Sequence, residues 1–229
     1  MRGNFNSSQL VSLLSTWGHT DAQASLQDWA HQLSLWLGPF DAITLQGVHQ
    51  SITTASASVR PQASMPGAQT LNEALQRVRS DLVNSISAWQ RPRPGGSDDT
   101  EVAGEFAPYR TQYIELQRRM EWRLDPFRVH CRQVLSRTHS RLKQLADLDA
   151  ALEQTLTKRE KALLSKLPAL LEQRFMHLKR HHDDGPHIVG WLSPFEREFR
   201  ALLLAEMNLR MEPIMGLIEA FANGTHTTQ

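Results

Sequence analysis

Cysteine is almost missing from this 229-residue chain: Cys131 is the only one. A single thiol cannot close an intrachain disulfide, so packing alone must hold the fold. The expected role of Cys131 is that of a small buried hydrophobe. A nucleophilic role would need a base, and the adjacent His130 points elsewhere on a helix. Long apolar runs are missing as well. The longest bursts, such as residues 201–205, fall far short of the ~20 residues that span a bilayer. The stretch Met1-Arg2-Gly3-Asn4-Phe5-Asn6 lacks the apolar centre of a secretory signal. A cytoplasmic location is therefore expected. No strand-like alternation persists, and no repeat of fixed period appears.

The motifs that carry catalysis are also lacking. There is no Gly-x-Ser-x-Gly, no phosphate-binding loop, no Gly-x-Gly-x-x-Gly and no His-Glu-x-x-His. Glu-x-x-His pairs, which mark di-iron bundles, do not occur. Ser140-Arg141-Leu142-Lys143 has the Ser-x-x-Lys spacing of penicillin-recognising acyl enzymes, but the companion Ser-Asp-Asn and Lys-Thr-Gly elements are absent. The expectation is a protein that is not an enzyme and holds no cofactor.

What the chain does contain is ordinary globular material. Hydrophobic residues make up 40%, enough for a sizeable core. Six tryptophans are many for this length, and such residues anchor cores or interfaces. The net charge is only +1, yet residues 110–182 hold 16 Lys+Arg against 8 Asp+Glu. That segment carries +8 and the flanks −7, which makes its surface a candidate for anionic partners.

The periodicity is helical almost throughout. Leu10, Val11, Leu13, Leu14 and Trp17 mark a short first helix, with Ser7 or Ser8 at its start and Gly18 at its end. Leu26, Trp29, Leu33 and Trp36 define a second, stopped by Gly38-Pro39. Asp41 opens a third, faced by Leu45, Val48 and Ile52. After Pro66-Gly67, Thr70 and Glu73 have capping-box spacing, followed by the stripe Leu71, Leu75, Val78, Leu82, Ile86 and Trp89. Residues 90–104 are rich in Pro and Gly and have no apolar face, so they read as a linker. The division expected is an N-terminal helical region at 1–89, a linker at 90–104 and a C-terminal helical bundle at 105–229.

In the C-terminal half, Tyr109, Tyr113, Leu116, Met120, Leu124, Phe127, Cys131 and Leu135 share a face, with a kink expected at Pro126. Leu142, Leu145, Leu148, Leu152, Leu156, Leu163 and Leu167 form the next stripe, interrupted at Pro168. Asp149 and Arg159 fall on its seam, which favours bundle packing over a coiled coil. Ser193-Pro194-Phe195-Glu196 reads as a capped start for the last helix. Pro213 should kink or restart that helix, which ends near Gly224. The fold class expected is all-α: a helical bundle with long, Pro-kinked C-terminal helices and a smaller N-terminal helical group.

Four groups of residues are candidates for function. His177, His181 and Asp184 stand at i, i+4 and i+7, a spacing that suits zinc or another divalent metal. Cations near a helix end also complement its dipole, which accounts for Lys179, Arg180, His181 and His182 without a metal. Arg118, Arg119, Arg123, Arg128 and Arg132 recur at spacings near four and suit a phosphate backbone, although no nucleic-acid-binding motif accompanies them. Trp36, Phe40 and Trp191 set large apolar groups at helix ends, where they either seal a core or dock a partner. Glu206 and Arg210 have ion-pair spacing; Glu206 interrupts an apolar run, so a partly buried pair is one reading and a surface pair the favoured one.

In their order along the chain, several segments resemble one uncharacterised proteobacterial helical family. They are residues 33–38 (Leu-Ser-Leu-Trp-Leu-Gly) with Asp41-Ala42-Ile43; residues 109–120; residues 145–160; residues 167–175; and residues 204–213. The family is catalogued as domain of unknown function 3348. It has no assigned activity, so no catalytic residue is carried over. The resemblance implies a cytoplasmic accessory of an envelope-spanning, MotA/TolQ-like ion-driven complex, peripheral to the inner membrane through its partner. The reading reached is a non-enzymatic helical adaptor or scaffold that binds other proteins. Nucleic-acid binding through 110–143 and metal binding through His177, His181 and Asp184 are the alternatives. Self-pairing of the long helices into a homodimer is a further expectation.

Overall fold

A computed structural model describes residues 9–17, 67–89, 105–183 and 191–226, together with the single positions 43, 46, 47 and 50. The expected second helix and the 90–104 segment lie outside the described residues; of the expected third helix, positions 43, 46, 47 and 50 are described, and they are helical. Among those described there is no strand. The chain is all-α, a helical bundle, as its periodicity requires. Its helices are α1 (Gln9–Thr16), α2 (Ala68–Ala88), α3 (Ala107–Ser136), α4 (Ser140–Leu164), α5 (Leu167–Asp183) and α6 (Leu192–His226). No helix among them is long and apolar enough to cross a membrane.

The helix starts are set by backbone carbonyls close to prolines and glycines. Leu71 N donates to Gly67 O at 3.1 Å, which places the cap of α2 three residues before Thr70. Glu73 instead accepts from Gln69 Nε2 at 3.1 Å. The Thr70–Glu73 capping box is therefore not the start of α2: the chain enters the helix earlier, with Gly67 at its cap. Phe195 N donates to Trp191 O at 3.3 Å, so α6 begins just ahead of Ser193-Pro194. Pro168 lies in the first turn of α5, where a missing amide costs nothing. By contrast, α3 runs as one helix through Pro126, and α6 as one helix through Pro213 without restarting. A proline there removes one bond to the carbonyl four residues back, and the buried stripes on either side hold the helix together.

Two compact units emerge, and both draw on residues from either side of 90–104. The first takes in α1, residues 80–88 of α2, 107–122 of α3, all of α5 and 192–209 of α6. Its core is aromatic. Tyr109, Tyr113, Phe175, Phe195 and Phe199 are fully buried. The Tyr109 ring meets Phe195 edge-on at 5.0 Å and Trp89 at 5.1 Å. Phe175 meets Phe195 at 4.9 Å and Trp191 at 5.0 Å. Each such ring contributes about 1.5–3 kcal/mol through burial, and edge-to-face pairing adds to it.

The second unit takes in residues 68–79 of α2, 123–136 of α3, 140–162 of α4 and 210–226 of α6. Its core is aliphatic: Leu71, Leu75, Leu124, Leu135, Met211, Ile214 and Leu217 are buried. The α4 leucine stripe needs correction. Leu142 is buried, but Leu148 and Leu163 are exposed, and the inner face of α4 is filled out by Ala146 and Ala151. Small residues let a neighbouring helix come close, so the helix turns Ala146 and Ala151 inward and leaves Leu148 and Leu163 outside. Near the end of α6, Gly224 lies against Leu142: a Cβ there would sit 3.4 Å from Cδ2.

Candidate interaction face

The buried face of α3 decides what its other face can present. In the first unit, Tyr109, Tyr113, Leu116 and Met120 point into the core. Positions out of phase with that stripe point outward. Trp122 is one of them, and it is 74% exposed. Arg118 and Arg119, four and three residues before it, are exposed too, and that spacing sets all three on one face of the helix. Sequence reasoning did not single out Trp122. The signal was present, because Trp122 falls two residues past Met120 and so off the stripe.

The five arginines proposed for an anionic partner divide. Arg118, Arg119 and Arg123 are exposed on α3. Arg128 and Arg132 are drawn into an ion-pair cluster in the second unit. Arg128 Nε and Nη2 donate to the two carboxylate oxygens of Asp149 at 2.9 and 2.6 Å. Arg132 Nη1 lies 2.9 Å from Asp149 and 2.7 Å from Glu153. All four side chains are largely buried, so these two guanidiniums join α3 to α4.

Inside the first unit sits a polar cluster that sequence reasoning placed at the surface. Glu206 is fully buried, and among the described residues it is the one charged residue type so placed. Tyr113 Oη donates to its Oε2 at 2.8 Å, and Gln117 Nε2 donates to both oxygens at 3.0 Å. The same amide donates to Leu164 O at 3.1 Å. The expected surface placement of Glu206 is thus corrected: Glu206 follows Phe199, Leu202 and Leu203 at helical spacing, and that face is the inward one. Nearby, Tyr109 Oη donates to Glu196 at 3.1 Å, and Arg174 forms a two-bond pair with Glu198 at 2.8 Å.

Trp191 is half-buried against Phe175 and seals the aromatic core. Trp36, Phe40 and Asp184 lie outside the described residues. His177 and His181 are exposed on α5, their ring centroids 4.3 Å apart and their planes at 78°. Among the described residues, no three His, Cys, Asp or Glu side chains gather where a metal could sit. Cys131 is buried in the second unit, and burial pushes its thiol up to about 11.

A family model described as protein of unknown function (DUF3348) matches residues 1–223. The chain belongs to that family. The match covers nearly the whole length, including the helices that carry the exposed α3 face and the buried cluster. No curated protein and no solved structure matches the chain. Family membership therefore brings no assigned activity, and the functional reading rests on the residues.

Proposed function

We propose that the protein is a non-enzymatic helical adaptor that binds another protein through the outer face of α3. The observation that carries this reading is Trp122, 74% exposed and flanked by exposed Arg118 and Arg119. Tryptophan and arginine are the residues most enriched among interface anchors. Leaving an indole in water is unfavourable, and a partner that covers it removes that apolar area. The raised thiol of Cys131 supports a non-catalytic reading, because a thiol held protonated is a poor nucleophile. The family resemblance carries the reading to a cytoplasmic accessory of an envelope-spanning, MotA/TolQ-like ion-driven complex. The partner then carries acidic groups around an apolar patch, complementary to the arginines.

Nucleic acid is the second reading, favoured by the exposed Arg118 and Arg119 on the face of an exposed aromatic ring. It is weakened by Arg128 and Arg132, whose guanidiniums are engaged by Asp149 and Glu153. Crosslinked co-purification from the native host separates the two. The adaptor reading expects a protein partner that is retained by the wild type and lost with Trp122→Ala. Recovery of nucleic acid alone, with affinity falling steeply as salt rises, would overturn it.

A further inference from the structure

Separately from the α3 face, we infer that His177 and His181 form a two-imidazole chelate for a divalent ion at the copper, nickel and zinc end of the first transition row. The two residues stand four apart on α5, so their side chains rise from the same face one turn apart. Their ring centroids are 4.3 Å apart, close enough for nitrogens of both rings to reach one ion after small side-chain rotations. Both side chains are exposed, so the ion needs no entry path and can keep water in its remaining positions.

The electrostatics of the helix help and also select. The pair lies in the final two turns of α5, where the unpaired carbonyls carry partial negative charge and favour a cation. Arg180, exposed between the two histidines in sequence, opposes any positive ion. An ion held mainly by charge, such as magnesium or calcium, gains nothing from neutral imidazoles and is repelled. An ion whose affinity comes from nitrogen donation overcomes that repulsion, and copper(II) does so most strongly. The site is thus selective by donor chemistry.

The test is calorimetric titration of tag-free full-length protein with copper(II), and separately with magnesium, alongside electron paramagnetic resonance of the copper form. The wild type is expected to bind one copper(II) ion with two imidazole nitrogens coordinated. His177→Ala and His181→Ala should each weaken that site by about tenfold or more, since the second ligand then no longer acts within the same chelate. His130→Ala, an exposed histidine on α3, should leave it unchanged. Circular dichroism checks that each variant remains helical. Equal copper affinity in wild type and both α5 variants would overturn the inference. So would magnesium binding as tightly as copper, or a spectrum with a single imidazole nitrogen.

Discussion

Tyr113→Phe removes a hydroxyl and leaves the ring, so it isolates one hydrogen bond to the buried Glu206. The expected loss is about 1–3 kcal/mol, read as a lower urea midpoint with an unchanged slope. Glu206→Ala should cost more, about 2–5 kcal/mol, because it opens a cavity and strips the acceptor from both Tyr113 and Gln117. A Glu206→Ala variant as stable as the wild type would show that water replaces the carboxyl group. Cys131 gives a second test at this scale. Its buried thiol titrates near 11 in the folded chain against an ordinary 9.0. At pH 8 only about one thiol in a thousand is then ionised, so labelling by a disulfide reagent should be slow until the chain unfolds. The folded state holds the proton to higher pH than the unfolded state. This contribution to stability is therefore full below pH 9 and is lost as pH rises from about 9 towards 11. Cys131→Ala should remove that decline.

At the scale of elements, the cluster of Arg128 and Arg132 with Asp149 and Glu153 ties α3 to α4. Asp149 accepts from both arginines, so Asp149→Ala leaves two half-buried guanidiniums short of a partner. A loss of about 1–3 kcal/mol is expected, smaller at high salt because the pairs keep some contact with water. No change in the denaturation midpoint at low salt would contradict it. The sequence marked Asp149 as a break in the leucine seam, but the arginines that answer it are 17 and 21 residues away. Spacing along one helix cannot disclose partners on another. Pro213 is a related case: the sequence allowed either a kink or a restart there, and α6 runs on without restarting, as α3 does through Pro126. The α2 stripe, by contrast, was legible, since Leu71, Leu75, Leu82 and Ile86 are all buried. A clean amphipathic period needs only one apolar neighbour, whatever its identity.

At the scale of the whole molecule, a substitution at Trp122 tests the proposed partner binding apart from the fold. Trp122→Ala removes an exposed ring, so stability should stay within about 0.5 kcal/mol of the wild type. Partner affinity should fall about tenfold or more if the ring is an interface anchor. A variant that loses stability and binding together would place Trp122 in the fold instead. The two compact units show a further whole-chain property. Each is assembled from segments far apart in sequence, and α2, α3 and α6 each contribute to both. A truncation at residues 90–104 therefore removes part of both cores, since buried residues of α2 belong to each. The expected result for residues 105–229 alone is a lower melting temperature than that of the full chain.

By itself the sequence determined the all-α class, most helix positions and the family, because helical period and the order of segments are local properties of the chain. It also determined that no intrachain disulfide contributes, because there is only one cysteine. Tertiary structure alone decided which polar groups lie inside. Glu206 is buried because Tyr113 and Gln117 on another helix offer donors, and Arg128 and Arg132 are engaged because Asp149 and Glu153 face them. It decided also that Trp122 stands in water while Trp191 closes a core, since a side chain's exposure depends on what packs across from it.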